Sequence, residues 1–422
     1  MVNDEVLVDQ VNNKKRKIVI HKPYVKHGGD KVRLLCDVNS YDFSIRTIWF
    51  EVEEKYGQYL CWERSDAFLI GLLSIAMREG CDIVCEAPVT AQLLYQIRTY
   101  LIPSLVRHSK ALSEPRIIAD MEEALMQNAG GVGTGISCGV DSMHAVMNYA
   151  NSEYPGLKLT HLVLNNVGAF YRGAEDRQYE WQAKHAKDFC DEYGFELILT
   201  NSNFAEAFPQ NHLLTNVYSS CFAVYAMQKL WNVYFYASVG TDFSSFSLED
   251  NEHHDSAYYD LLSLDVFSNR SLKIYSEGGA VMRFDKMRRI VDYSPSYKYL
   301  HVCVRDEGPN CGTCSKCMRT LTALDALDRL NDYKESFDIE KYYANYKKNM
   351  LWLYLQQIMP GGDKMTTPAY EILSKKFSKS FRLSLFFKGL LMKCRSRLSK
   401  VTFLKRMYDM FNGRRGNGAD EK

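Results

Sequence analysis

The 422-residue chain contains no uninterrupted apolar run of about 20 residues, the length that a membrane-crossing helix requires. Its amino-terminal stretch, MVNDEVLVDQVNNKKRK, has no apolar segment of the kind that forms a secretory signal. Both absences lead us to expect a cytoplasmic protein without a transmembrane segment. Internal repeats are also missing, and net charge is almost absent: 52 Lys and Arg stand against 51 Asp and Glu, leaving +1. What is present is ordinary for a globular protein, with 46% hydrophobic and 24% charged residues. The length allows two or three domains at about 150 residues each.

The near-zero net charge hides an asymmetry. Between Lys375 and Arg415 there are thirteen Lys or Arg and one acidic residue, Asp409. This basic segment reads as a solvated helical tail, with attachment to an acidic membrane surface or to nucleic acid as the alternatives. The twelve cysteines are also unevenly placed: four fall within fifteen residues and the others are scattered through apolar contexts. Reduced thiols and one metal site are expected rather than a disulfide framework.

Hydrophobic patterning divides the chain into residues 1–116, 117–330 and 331–422. In the first part, strand-like runs (KIVI, KVRLLCDV, RTIWFEV, DIVCEAP) surround a helix that opens at Ser65-Asp66 and stops at Gly80, with a second helix through TAQLLYQIRTYLIPSLV. This is an α+β segment for accessory or substrate-recognition use. In the second part, apolar runs (GVGTGIS, LTHLVLNNV, FELILTNSN, VYFYASVG) alternate with helix-length segments. Strands apolar on both faces and alternating with helices predict an α/β fold, a parallel sheet with helices on both faces. The third part reads as a helical, basic carboxyl-terminal extension.

GVGTGISCGVDSMHAV, Gly131 to Val146, carries the first functional signal. Gly135-Ile136-Ser137-Cys138-Gly139 fits G-x-S-x-G, the nucleophile elbow of a serine hydrolase, for which His253, His254 and His301 would be the available bases. Ser137, Cys138, Gly139, Val140, Asp141 and Ser142 fit a phosphate loop instead, offering hydroxyls and N–H groups at the positive end of a helix. Asp141 would help to hold a magnesium ion on the phosphates. No Lys-Ser or Lys-Thr follows the glycines, which excludes a Walker loop, and no G-x-G-x-x-G aligns here. A glycine-rich turn without a ligand is the plain alternative.

The second signal is CVRDEGPNCGTCSKCMRT, which spaces Cys303, Cys311, Cys314 and Cys317 as C-x7-C-x2-C-x2-C. Four thiolates at this spacing satisfy a structural, tetrahedral zinc ion; an iron–sulfur cluster uses the same ligands.

The loop resembles the S-G-G-x-D-S signature of the N-type PP-loop ATP pyrophosphatases, with Cys138 where that family has its first glycine. Together with the cysteine cluster and RTLTALDAL, it is similar to the 7-cyano-7-deazaguanine synthases of queuosine biosynthesis over roughly Gly131 to Leu330. The resemblance implies an adenine nucleotide alpha-hydrolase-like fold, ATP with magnesium, and a carbon–nitrogen ligase reaction. A substrate oxygen, as of a carboxylate, would be adenylylated with loss of pyrophosphate, and ammonia or another nitrogen nucleophile would displace AMP. It also implies adenine and ribose contacts from Asn165, Asn166 and Val167, a loop at Gly240, Thr241 and Asp242 facing the same crevice, and phosphate neutralisation by Arg283 and Lys286. Arg319 is an alternative cation. A small molecule or peptide is the expected substrate, and a homodimer stays open. A tRNA-thiolation enzyme, a serine hydrolase and a non-catalytic nucleotide-binding protein are the rival readings.

Overall fold

The computed structural model of the chain describes residues 16–42, 44–168, 177–238, 243–248, 255–303 and 308–394. The chain divides into two compact units, Met1–His301 with Asp306–Pro309, and Val302–Arg305 with Asn310–Lys422.

The first unit is built on one sheet. Its strands are β1 (Lys17–Ile20), β2 (Tyr24–Gly28), β3 (Lys31–Asn39), β4 (Ile45–Glu53), β5 (Asp82–Cys85), β7 (Ile117–Ile118), β9 (Gly131–Gly135), β10 (His161–Asn166), β11 (Glu196–Ser202), β12 (Trp231–Ala237) and β13 (Lys273–Glu277); two short strands, β6 (Val89–Thr90) and β8 (Met121–Glu122), pair apart. The order is β13-β12-β9-β10-β11-β4-β3-β1-β5-β7, with β2 on β3. From β13 to β11 all pairings are parallel, whereas β11–β4, β4–β3 and β3–β1 are antiparallel. The strands expected on either side of the 116/117 boundary therefore belong to a single continuous sheet.

Helices cover the strands as the alternating pattern predicts. They include α1 (Asp66–Glu79), α2 (Val140–Tyr149), α3 (Arg177–Tyr193), α4 (His212–Ala226) and α5 (Arg283–Ile290). Helix α1 is apolar nearly all round because it lies inside the core. It ends where Gly80 takes up a left-handed φ of 64°. Gly71 on α1 allows close approach to α4: a Cβ there would stand 2.9 Å from the Phe204 ring and 3.3 Å from Phe222. Phe222 also meets Phe50 of β4 and Phe68 of α1 edge-on, so the core is shared between the two halves of the sheet.

Chain order and strand order together locate the site. From β9 the chain steps to β10 and β11 on one side, then returns to β12 and β13 on the other. Parallel sheets open a crevice at such a reversal, beyond the carboxyl ends of the strands. The segment that leaves β9 there is Ile136 to Gly139.

The second unit is helical as expected: α6 (Ser315–Ala326), α7 (Ile339–Ala344), α8 (Tyr346–Ile358), α9 (Thr367–Lys375) and a helix at residues 379–394. At Asn345 the run IEKYYANYKKNMLWLYLQQIM divides into two helices. The Pro-Gly-Gly break turns with Gly361 at φ 73°, and any Cβ on Gly362 would collide with the Gln356 carbonyl. No helix among the described residues is long and apolar enough to cross a membrane.

Candidate functional site

Strand β9 is narrow because it must be. A Cβ on Gly133 would lie 2.6 Å from the Trp231 ring, and one on Gly131 would lie 2.7 Å from the Leu230 carbonyl oxygen. This brings the β9–α2 turn close to β12. The turn is tight, and it is Cys138 that takes the left-handed backbone at φ 54°, a conformation usually left to glycine. Its side chain is fully buried, so the Cβ points into the protein and not into the turn. Burial, with the Cys190 thiol nearby, pushes the Cys138 thiol well above its ordinary range. A neutral, enclosed thiol is a poor nucleophile.

Gly139 is the N-cap of α2, and by helix geometry the first-turn N–H groups of Val140, Asp141 and Ser142 have no partners within the helix. Ser142 Oγ lies 3.4 Å from Ser137 Oγ and donates to the Gly139 carbonyl at 3.1 Å. The Ser137 carbonyl accepts from Gln182 Nε2 at 2.8 Å, which ties the loop to α3. The Cys138 carbonyl accepts from the His301 N–H at 2.9 Å. The Ser137 and Cys138 carbonyls thus tie the loop to α3 and to the chain at His301, and the Gly139 N–H donates to Ser137 Oγ at 3.4 Å.

Asp141, Arg283 and Lys286 come together. Arg283 Nη1 donates to Asp141 Oδ2, and Lys286 Nζ to Asp141 Oδ1 at 2.9 Å. Lys286 is 1% exposed, and its Nζ also donates to the Ser238 carbonyl at 3.1 Å. Gly278, at φ 78°, makes room for it: a Cβ there would stand 2.8 Å from Lys286 Cε. Burial alone would raise the Asp141 carboxyl, but the Arg283 and Lys286 charges outweigh it and hold the group below the usual carboxylate range. With one carboxylate and two cations, the cluster carries one excess positive charge beside the positive end of α2. An anion fits there better than a cation does. In the same run, Arg288 turns away to pair with Asp285.

A second layer was not legible in the sequence. Asp260 accepts from Ser238 Oγ at 3.1 Å and Ser276 Oγ at 3.2 Å, and burial pushes its carboxyl up to about 6. Glu277 accepts from Asn148 Nδ2 at 2.8 Å and Tyr149 O–H at 2.9 Å, with His144 Nδ1 at 3.2 Å.

The other expected residues are placed differently. Asn165 and Asn166 do end β10, but their side chains are engaged within the sheet. Thr200 Oγ1 donates to Asn165 Oδ1 at 2.9 Å, and Asn166 Nδ2 donates to Asn201 Oδ1 at 2.8 Å. Val167 is buried. Gly240, Thr241 and Asp242, with His253 and His254, lie outside the described residues. Arg319 lies in the second unit, where it pairs with Asp363 at 2.5 Å. The His301 ring donates to the Gly308 carbonyl at 3.1 Å and packs on Trp181, and no histidine among the described residues bonds Ser137.

The cysteine cluster belongs to the second unit. The sulfurs of Cys303, Cys311, Cys314 and Cys317 all lie within 4.8 Å of one another, and Cys311 and Cys317 are 4.0 Å apart. Tetrahedral zinc with bonds of about 2.3 Å needs sulfurs roughly 3.8 Å apart, so the four could hold a metal ion such as zinc after a small contraction. Gly312 at φ 70° forms the knuckle, and the Thr313 and Cys314 N–H groups donate to Cys311 Sγ at 3.5 and 3.3 Å. Although burial opposes it, these hydrogen bonds bring the Cys311 thiol down to about 6. Cys314 caps α6 and places Cys317 in the first turn. Asn310 Oδ1 accepts from the Val302 and Cys303 N–H groups at 2.8 and 3.2 Å, which fastens the distant ligand to the rest.

Compared with known proteins, the chain matches no protein-family model, no curated protein and no solved structure.

Proposed function

We propose that the chain is a PP-loop ATP pyrophosphatase that adenylylates an oxygen of its substrate and passes the activated centre to a nitrogen nucleophile. The observation that carries the reading is the β9–α2 turn. Cys138, which stands where the family has its first glycine, takes the left-handed backbone that glycine adopts most readily while its side chain is buried, and Asp141 stands at the helix start between Arg283 and Lys286. The loop N–H groups would hold the β- and γ-phosphates, leaving the α-phosphorus open beyond the end of β9.

In the first step a carboxylate oxygen forms a bond to the α-phosphorus as the bond to the bridging oxygen breaks, and pyrophosphate leaves with that electron pair. The nitrogen nucleophile then attacks the acyl carbon, and AMP departs. Arg283 and Lys286 would offset the charge that grows on the leaving pyrophosphate. Asp141 is the carboxylate that could ligate a magnesium ion, which would screen the triphosphate. Both its oxygens are engaged by cations here, and phosphates arriving in the crevice would compete for those cations. The four-cysteine cluster would hold zinc in a structural role, since all four of its coordination positions would be filled by thiolates.

The test is incubation with labelled ATP, magnesium and a panel of carboxylic acids. AMP and pyrophosphate are expected; ADP and phosphate would overturn the reading. A serine hydrolase is the less supported alternative because the Ser137 hydroxyl meets the Ser142 hydroxyl and the Gly139 N–H and no histidine among the described residues. Labelling of Ser137 by a fluorophosphonate would restore it.

A further inference from the structure

The helix at residues 379–394 belongs to the second unit and contributes none of the residues assigned to the phosphate crevice. One side of it is packed. Gly389 approaches α8 so closely that a Cβ there would stand 2.6 Å from the Tyr354 ring and 2.8 Å from Ile358, and Leu385 is buried on the same side. The other side is apolar and uncovered. Leu383, Phe386, Phe387, Leu390 and Leu391 recur at i, i+3, i+4, i+7 and i+8, and they are 56%, 52%, 54%, 47% and 70% exposed.

Cations border this stripe. At helical spacing Arg382 and Lys393 fall along one edge and Lys388 along the other. Residues 379–394 contain four Lys or Arg and no acidic residue. The sequence beyond, residues 395–415, adds seven more cations against Asp409.

We propose that this helix lies flat on an anionic lipid bilayer, with the five apolar side chains in the acyl boundary and the bordering cations among the headgroups. An exposed apolar face edged by Lys and Arg is the charge complement of such a surface. A second copy of the chain fits less well. The stripe exposes roughly 500 Å² against about 800 Å² per partner in a standard stable interface, and like-charged edges would meet. RNA fits less well too, because three of the five side chains are leucines, which cannot stack on bases as aromatic rings do. Within residues 379–394 one face is packed, which suits the helix to lying on a membrane, and no helix among the described residues is long and apolar enough to cross one.

The experiment is co-sedimentation of the full chain with vesicles of phosphatidylcholine alone and of phosphatidylcholine with phosphatidylglycerol. Binding to the anionic vesicles is expected, weakening as salt is raised. Phe387→Glu and Leu391→Glu should each reduce the partition coefficient about tenfold or more. Ile45→Glu on β4, 70% exposed, should leave it unchanged. Both helix positions face solvent, so melting curves should match wild type; Lys388→Glu, which leaves the apolar stripe intact, is the second variant and should weaken binding to anionic vesicles alone. Equal binding to neutral vesicles, or binding indifferent to these substitutions, would overturn the proposal. So would the absence of vesicle binding together with a dimer, or an RNA complex, that Leu391→Glu abolishes.

Discussion

Replacing Asp141 by Asn removes the one negative charge from a buried group of three while nearly preserving its shape. Among the described residues Lys286 then keeps the Ser238 carbonyl, and Arg283 loses its carboxylate partner at the loop. Breaking a buried ion pair by deleting one member costs about 3–5 kcal/mol because the survivor is stranded. The Asp141 and Arg283 side chains are 16% and 13% exposed, so water relieves part of this and about 2–3 kcal/mol is expected. Four of the five tryptophans, Trp49, Trp62, Trp181 and Trp231, lie in the first unit, so urea unfolding followed by tryptophan fluorescence reports the right structure. Adding Lys286→Met to the Asn variant should cost less than it does in wild type, since the cation it removes no longer has a counter-charge. The acid limb adds a check of sign. A carboxyl held below its ordinary value of 3.8 contributes stability that is present above that value and lost as pH falls through the lower folded one. That contribution should be missing from the variant. An Asn variant within about 0.5 kcal/mol of wild type at neutral pH would refute the electrostatic account of the cluster.

Asp260 should behave with the opposite sign. Its carboxyl rises from 3.8 to about 6 on burial, so its contribution is full below 3.8 and is lost as pH rises through about 6, by roughly 3 kcal/mol; Asp260→Asn should flatten urea midpoints measured across that window. Cys138→Gly should change stability by less than about 1 kcal/mol, because relief of the left-handed backbone offsets the lost buried side chain, whereas Cys138→Val should cost about 1–3 kcal/mol by thermal melting. The purified protein should carry about one zinc per chain by atomic absorption, and Cys317→Ser should lose the metal and lower the melting temperature. The same chain incubated with ATP should lose its AMP and pyrophosphate yield by about a hundredfold or more on Asp141→Asn; retention of the yield would show that the carboxylate is not needed.

The elements with a strong period were readable in advance. The helix from Asp66 to Gly80, the four apolar strands of the parallel core and the helical carboxyl-terminal part all carry their burial pattern in the sequence. Strand β13, KIYSE, was not foreseen because an edge strand has one open side and no continuous apolar run. The meeting of Asp141 with Arg283 and Lys286 could be anticipated from charge type, since the expected phosphate site needs cations and RFDKMRR supplied them. That Lys286 and not Arg288 or Arg289 turns inward depends on the helical phase of α5 and on the space left by Gly278, neither of which a residue list carries. The side-chain partners of Asn165 and Asn166 were hidden for a related reason. Both end a strand, but adjacent polar side chains in the sheet, Thr200 and Asn201, claim them.

The junction of β11 with β4 has a consequence for how the chain can be cut. Register runs Asn201 to Glu51 and Ser202 to Phe50, and it closes the open side of the parallel strands with an antiparallel partner. A fragment beginning near residue 117 would leave β11 as a bare rim of unpaired backbone amides and carbonyls, and would expose the faces of Phe204 and Phe222 that now meet Phe50, Phe68 and Gly71. Such rims recruit other chains and precipitate. The amino-terminal third is therefore better regarded as a bolt across an otherwise sticky edge than as a detachable attachment, and expression of a segment starting near residue 117 should give insoluble material.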